Sequence, residues 1–178
     1  NAKLLLGEWK LNRIKRKDFV PKMVEQLKED LQLKSSPRKI EAFDISHLGG
    51  TNTVASMVSF FDGKPKKNEY RKYNIKTVEG IDDFASMREV VLRRYSRVKK
   101  EGLGFPDLIL IDGGKGQLSM AVSALRELGL EYITVIGIAK RLEEVFVPGH
   151  SDPQNIPKSS SGLILLRRIR DEAHRFAI

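Results

Sequence analysis

The stretch PDLILIDGGKGQL, residues 106–118, decides how this chain folds. Leu108 to Ile111 is wholly apolar, the composition of a strand covered on both faces. Asp112 stands where the run ends and two glycines follow. From Gly116 the apolar residues recur at helical spacing as far as Leu128, where Gly129 stops the helix. A buried strand feeding a helix through a glycine turn is one unit of a parallel α/β sheet. Two further polar signatures stand beside it. FDISH at 43–47 ends an apolar run on Asp44, and IRDEAHRF at 169–176 places His174 in a helix-like tail.

Outward from residues 106–118 the elements alternate in a defined order. IEAFDIS, from Ile40, reads as a buried strand and TVASMVSFF as a second strand. Asp62-Gly63 is a hairpin turn signal, and NEYRKYNI alternates as a third strand. Asp82 and Asp83 open a helix that runs to about Lys100, with Met87, Val90, Val91 and Tyr95 on one face. YITVIGIA is a further buried strand, residues 148–161 form a loop, and Leu163–Ile178 is the last helix. The order β-β-β-α-β-α-β-α requires an antiparallel meander followed by parallel strands reached by right-handed crossovers. This is the order of the ribonuclease H-like fold: a mixed α/β sheet, expected here to have five strands, flanked by helices. Residues 1–37 read as a helical arm or linker and 38–178 as the domain, with LKSSPRK at the boundary. Asp18 is placed to cap a helix in the arm, and Lys10, Arg13, Lys15, Arg16 and Lys17 form its basic cluster.

The 178 residues suffice for one substantial core. Lys and Arg number 32 against 23 Asp and Glu, a net charge of +9. That balance favours a phosphate-rich partner, although it also serves solubility. There is no cysteine, which excludes disulfides and thiolate metal sites and makes a reducing cytoplasm the default. No apolar run approaches the roughly 20 residues of a membrane span. The chain begins at Asn1 and its tail is still helical at Ile178, so it reads as part of a longer protein.

The first and fourth strands are neighbours in this order, with Asp44 and Asp112 near their carboxyl ends, where open α/β sheets build sites. Two carboxylates so close repel unless a proton or cation intervenes. Mg²⁺ or Mn²⁺ suits such oxygen ligands and can assist phosphodiester hydrolysis. A single strand-end Asp would be an ordinary turn residue; the pair is what points to a metal. His174 is positioned as a ligand or a proton acceptor, with Glu172 as its competitor. His47, three residues after Asp44, faces the other side of the sheet, and His150 receives no role. One helix cap needs only one of Asp82 and Asp83, which leaves Asp83 as a candidate third carboxylate. GGKGQ is not a complete phosphate loop, but Lys115 is placed to hold a backbone phosphate. Arg71, Arg93 and Arg94 are further candidates for DNA contact, with Lys72, Arg97, Lys99 and Lys100 adding charge nearby.

FDISH with TVAS, EYRKYNI, the DDF-SM-EV-RRY helix, PDLILIDGGKGQL and IRDEAHRFAI together resemble the carboxy-terminal endonuclease half of the UvrC family, over about residues 38–178. The resemblance implies a metal-dependent DNA endonuclease that makes the incision 5′ to a lesion in nucleotide excision repair, using Mg²⁺ or Mn²⁺. It places the catalytic Asp-Asp-His set on Asp44, Asp112 and His174, and an additional acidic residue on Asp83. Implied partners are damaged double-stranded DNA and, through parts of the full-length protein outside this sequence, UvrB. The family's helix-hairpin-helix and GIY-YIG domains have no counterpart in this stretch, so weak DNA binding by a monomer is expected. The alternatives are a non-catalytic DNA-binding scaffold, a nucleotide-binding domain built on GGKGQ, and another ribonuclease H-like nuclease such as a junction resolvase.

Overall fold

The two apolar runs that end on aspartate form adjacent central strands in the computed structural model, which describes Gly7, residues 19–49 and 52–178. The basic cluster Lys10–Lys17 and the cap assigned to Asp18 lie outside the described residues. In chain order the elements are α1 (Lys22–Asp30), β1 (Lys39–Leu48), β2 (Asn52–Phe61), β3 (Lys64–Pro65), β4 (Arg71–Asn74), α2 (Asp83–Glu101), β5 (Leu108–Asp112), α3 (Lys115–Glu127), β6 (Thr134–Ile138), β7 (Val145–Phe146) and α4 (Ser161–Ala177). The sheet runs β3-β2-β1-β5-β6-β7, with β4 also paired to β2. β1 is antiparallel to β2 and parallel to β5, and β6 is parallel to β5.

The sheet therefore has seven strands rather than the expected five. The expected third strand, NEYRKYNI, is shortened to Arg71–Asn74, and a separate two-residue strand precedes it. Asp62 (φ 50°) and Gly63 (φ 79°) make the tight turn that their sequence announces. Lys64–Pro65 then pairs briefly with β2, a single 3₁₀ turn over Lys67–Glu69 follows, and Arg71–Asn74 resumes pairing along Val54–Met57. Pro65 has no N–H to carry the ladder onward. The seventh strand, Val145–Phe146, adds two residues antiparallel to the end of β6.

Alternation along the central strands divides the core in two. Phe43, Ile45, Met57, Ile109 and Ile111 point toward α2 and α3; Ile40, Ala42, Val58, Leu108 and Leu110 point toward α1 and α4. All five residues of β5 are buried, as its sequence requires. Residues Lys22–Asp30 of the expected arm belong to this body: Val24 and Leu27 are fully buried beneath α4. The close approach depends on Gly162, where a Cβ would lie 2.8 Å from the Leu27 backbone. Among the described residues no helix is long and apolar enough to cross a membrane.

One buried ion pair ties the far end of β1 to α2. Glu41, wholly buried, accepts from Arg94 Nη2 at 3.1 Å and from Tyr95 Oη at 2.8 Å. Breaking such a pair leaves a buried charge uncompensated. Arg94→Ala is expected to cost about 3–5 kcal/mol. Arg97→Ala, which removes an exposed i,i+4 partner of Glu101, should cost under about 1 kcal/mol. Urea denaturation of both variants checks this; equal losses would mean that the Glu41 cluster is no more costly to break than a surface pair.

Candidate active site

β1 and β5 pair in the register Phe43↔Ile111, so the next residue on each strand, Asp44 and Asp112, stands beside the other. Neighbouring strands lie about 4.8 Å apart. Both carboxylates share the face of Ala42 and Leu110, the side covered by α4. They are 2% and 6% exposed, so two like charges face each other with little water between them.

Helix α4 brings the third group. Its capping residue Ser160 accepts from Gly162 N at 3.1 Å, and Leu163, Leu166, Ile169 and Ala173 form the buried stripe that lays it across the sheet. Ser56, the cross-strand partner of Asp44, donates from Oγ to the carbonyl of Ala173 at 3.0 Å. That bond pins the helix one residue before His174, whose Nδ1 lies 3.3 Å from Asp44 Oδ2. A cleft of about 310 Å³ opens here, lined by Asp112, Lys140, Arg170, Asp171 and His174.

Burial, and then the neighbouring charge of Asp44, push the Asp112 carboxyl up to about 7, with Lys140 and Arg170 pulling it down. Its Oδ1 is buried without a hydrogen-bond partner. A buried acceptor left unsatisfied is costly, and a divalent cation with oxygen ligands would satisfy it, so this donor set fits Mg²⁺ or Mn²⁺. Among the described residues no three His, Asp or Glu side chains stand close enough together to hold an ion.

The remaining sequence candidates separate. Asp82 caps α2, accepting from Ala85 N at 3.0 Å. Asp83 is thereby released, and its Oδ1 lies 2.6 Å from His47 Nε2, while His47 Nδ1 lies 3.0 Å from Thr53 Oγ1. His47 points to the α2 side of the sheet, as three residues of strand spacing require, so Asp83 stands with it on the face opposite Asp44. Glu172, the competitor of His174, is engaged elsewhere, by Tyr70 Oη at 3.0 Å and by Arg175. Lys115 is outside the cleft, its ammonium 5.6 Å from the centre of the Phe146 ring. Arg71 is exposed and donates to the Asn68 and Tyr70 carbonyls. Arg93 is held by Glu89, by the Asn74 carbonyl and over the Tyr73 ring. Arg94 as a DNA contact is corrected: it is 6% exposed and committed to Glu41.

Two cleft residues were not singled out from sequence, Lys140 and Arg170. Lys140 lies two residues beyond the end of β6, and applying the strand-end rule to VIGIAK finds it. Arg170 precedes His174 by one helical turn, so the two share a face. The turn between β5 and α3 is fixed by Gly137, where a Cβ would lie 2.9 Å from the Gly113 carbonyl oxygen. Gly113 N in turn donates to the Ile138 carbonyl at 2.9 Å.

The raised Asp112 carboxyl has a pH signature. From its ordinary 3.8 up to about 7 the folded chain holds this proton while the unfolded chain has released it. In the absence of divalent cation, stability from this group therefore falls as pH rises through that window and stays low above it. Asp112→Asn should remove this slope and melt higher than wild type at pH 8 in chelator, by roughly 1–3 kcal/mol. Thermal denaturation from pH 4 to 8 checks it; a wild-type slope retained in the variant would show that burying this carboxylate costs nothing.

The family model described as the UvrC RNAse H endonuclease domain matches residues 28–178. Curated relatives include the UvrABC system protein C of Salinibacter ruber, 52% identical over 182 residues, covering 100% of this chain and 29% of that protein. That of Methanococcus maripaludis is 57% identical over 155 residues, covering 87% and 29%. The chain thus spans under a third of the length of these relatives. Among solved structures, Ciona intestinalis Endonuclease V in complex with a 24mer DNA has TM-score 0.46 and 18% identity, covering 96% of this chain and 69% of that one. Aquifex aeolicus Argonaute has TM-score 0.41 and 13% identity, covering 75% and 24%. With more than four-fifths of its length matched by the family model, the chain belongs to the UvrC RNase H endonuclease domain family.

Proposed function

We propose that this domain hydrolyses a phosphodiester bond of DNA at the Asp44–Asp112 pair, with a divalent cation, Mg²⁺ or Mn²⁺, held by the two carboxylates. The observation that carries the reading is the buried Asp112 carboxyl with an unsatisfied oxygen beside a second buried aspartate. A scaffold that only binds DNA has no use for that arrangement. When bound, the cation would activate the attacking water and offset the charge that develops on the phosphate.

The chain's own groups divide the rest of the work. Asp44 accepts from His174 Nδ1 and so fixes the ring's tautomer, leaving Nε2 as the free acceptor for a proton from the attacking water. Lys140 and Arg170 line the same cleft and draw the scissile phosphate toward Asp112. Asp171, also lining the cleft, pairs with Arg170 at 3.0 Å and steadies it. Asp83 acts from the other face, by holding His47 against the end of β1. Lys115 and Arg71 contact the DNA backbone farther from the cut.

Membership of the family extends the reading to the incision 5′ to a lesion in nucleotide excision repair, within the cytoplasm, on damaged duplex DNA. UvrB would be engaged through regions of the full-length protein outside these residues.

Calorimetry with Mn²⁺ should give saturable binding to wild type that is lost in Asp44→Asn. Asp44→Ala, Asp112→Ala and His174→Ala should each slow cutting of damaged duplex by at least about a hundredfold while melting cooperatively. Wild-type cutting by any of the three would sink the assignment.

A further inference from the structure

The four arginines of α2 named by their partners are internally neutralised: Arg88 by Glu127, Arg93 by Glu89, Arg94 by Glu41 and Arg97 by Glu101. Helix α3 differs. Lys115 and Arg126 are both exposed on it, and among the described residues neither makes an ion pair with a carboxylate. With Ser119 and Val122 they lie along one helix face at steps of four, three and four residues and look onto the segment after β7, where His150 is also exposed. Between α3 and that segment lie two cavities of about 260 and 310 Å³. They share Val122, Arg126, Val147 and Pro148, so they form one continuous groove. Glu131 is the single carboxylate among its described lining residues. Tyr132, 72% exposed, closes the far end with an aromatic face.

The near end of the groove is Lys115, three residues after Asp112, so at most about 11 Å of chain separates it from the active site. From Lys115 to Arg126 it runs about 16 Å at 1.5 Å per residue. That length spans about five nucleotides at 3.4 Å each along one strand. Unpaired cations, hydroxyls and a terminal aromatic ring in one channel match what a nucleic-acid strand offers: phosphates at intervals and a base to stack.

We propose that this groove, between α3 and residues 147–150, carries one strand of the nucleic acid away from the Asp44–Asp112 site, with Arg126 on its phosphates and Tyr132 stacked on an unpaired base. The proposal rests on the nuclease reading and names the path of its substrate. It moves the DNA track from the α2 arginines, which have partners, to α3, where the charge is available.

The test is fluorescence anisotropy in chelator, using this chain and a short labelled duplex with a single-stranded extension. Arg126→Glu should weaken binding about tenfold and lower the salt slope by about one. Tyr132→Ala should weaken binding about fivefold or more, and Tyr132→Phe should bind as wild type. Lys22→Glu, the same charge change on α1 across the sheet, should have no such effect. All these positions are exposed, and matching melting curves verify the fold. Wild-type binding by Arg126→Glu and Tyr132→Ala would overturn the proposal, as would an equal loss in Lys22→Glu. A Glu-rich peptide that binds wild type but not Arg126→Glu, with DNA binding unchanged, would overturn it in favour of an acidic protein partner. Binding is scored without cation, so the outcome is independent of whether Asp112→Asn still cuts; failure of the groove and failure of the nuclease reading are thereby told apart.

Discussion

Asp44 and Asp112 repel each other across one strand spacing in a place with almost no water, and most of what surrounds them answers that repulsion. The juxtaposition follows from the parallel register of β1 and β5, which the hydrophobic alternation of both strands fixes: a slip by one residue would turn Phe43 and Ile111 out of the core. The sheet therefore cannot relieve the repulsion by moving. Relief has to come from a retained proton, from Lys140 and Arg170, or from a cation. The carboxyl pushed up to about 7 on Asp112 records how incomplete the protein's own compensation is. A pair left this uncompensated would gain stability from a cation bound between the two carboxylates.

The second requirement is that a helix from the end of the chain reach this pair in one position. The apolar stripe of α4 gives it a face but does not fix how far it slides. Three polar or steric details do so. Ser56 bonds the Ala173 carbonyl, Tyr70 bonds Glu172, and Gly162 admits the backbone of α1 at a distance that no side chain would tolerate. Helix α1 thus acts on the site from a distance. By filling the space beneath the start of α4 it sets where the end of α4 puts His174, which is why residues that read as a linker are packed like core.

Much of this was legible in the sequence because the informative patterns are local. Strand-end aspartates, a glycine turn, cap residues and helical periodicity all report on their own neighbourhoods, so Asp44, Asp112 and His174 could be named and placed on converging elements. What was not legible depended on pairings between distant segments. Arg94 sits in RRY among other basic residues, and nothing there says that Glu41, fifty-three residues earlier, takes it into the core. Asp83 could be seen to be spare, since Asp82 sufficed as the cap, but its attachment to His47 needed the β1–α2 contact. The third strand begins later than its alternation suggests because a 3₁₀ turn takes Lys67–Glu69, and the two-residue pairing of Lys64–Pro65 is too short to announce itself.

The same distinction bears on the charge. A surplus of +9 says that phosphate is a plausible partner but not where it lies. Position emerges only when paired cations are subtracted. On α2 the arginines are balanced within the fold, so they contribute to stability and little to the outward field. Lys140 at the cleft and Lys115 and Arg126 along α3 have no such carboxylate partner among the described residues. Lys140 lines the cleft with Asp112, and Lys115 follows that aspartate by three residues. On the proposed reading, a polyanion drawn to Lys140 reaches a cleft whose buried negative charge would otherwise repel it. Attraction at the rim and a cation at the centre are, on that reading, complementary parts of one site.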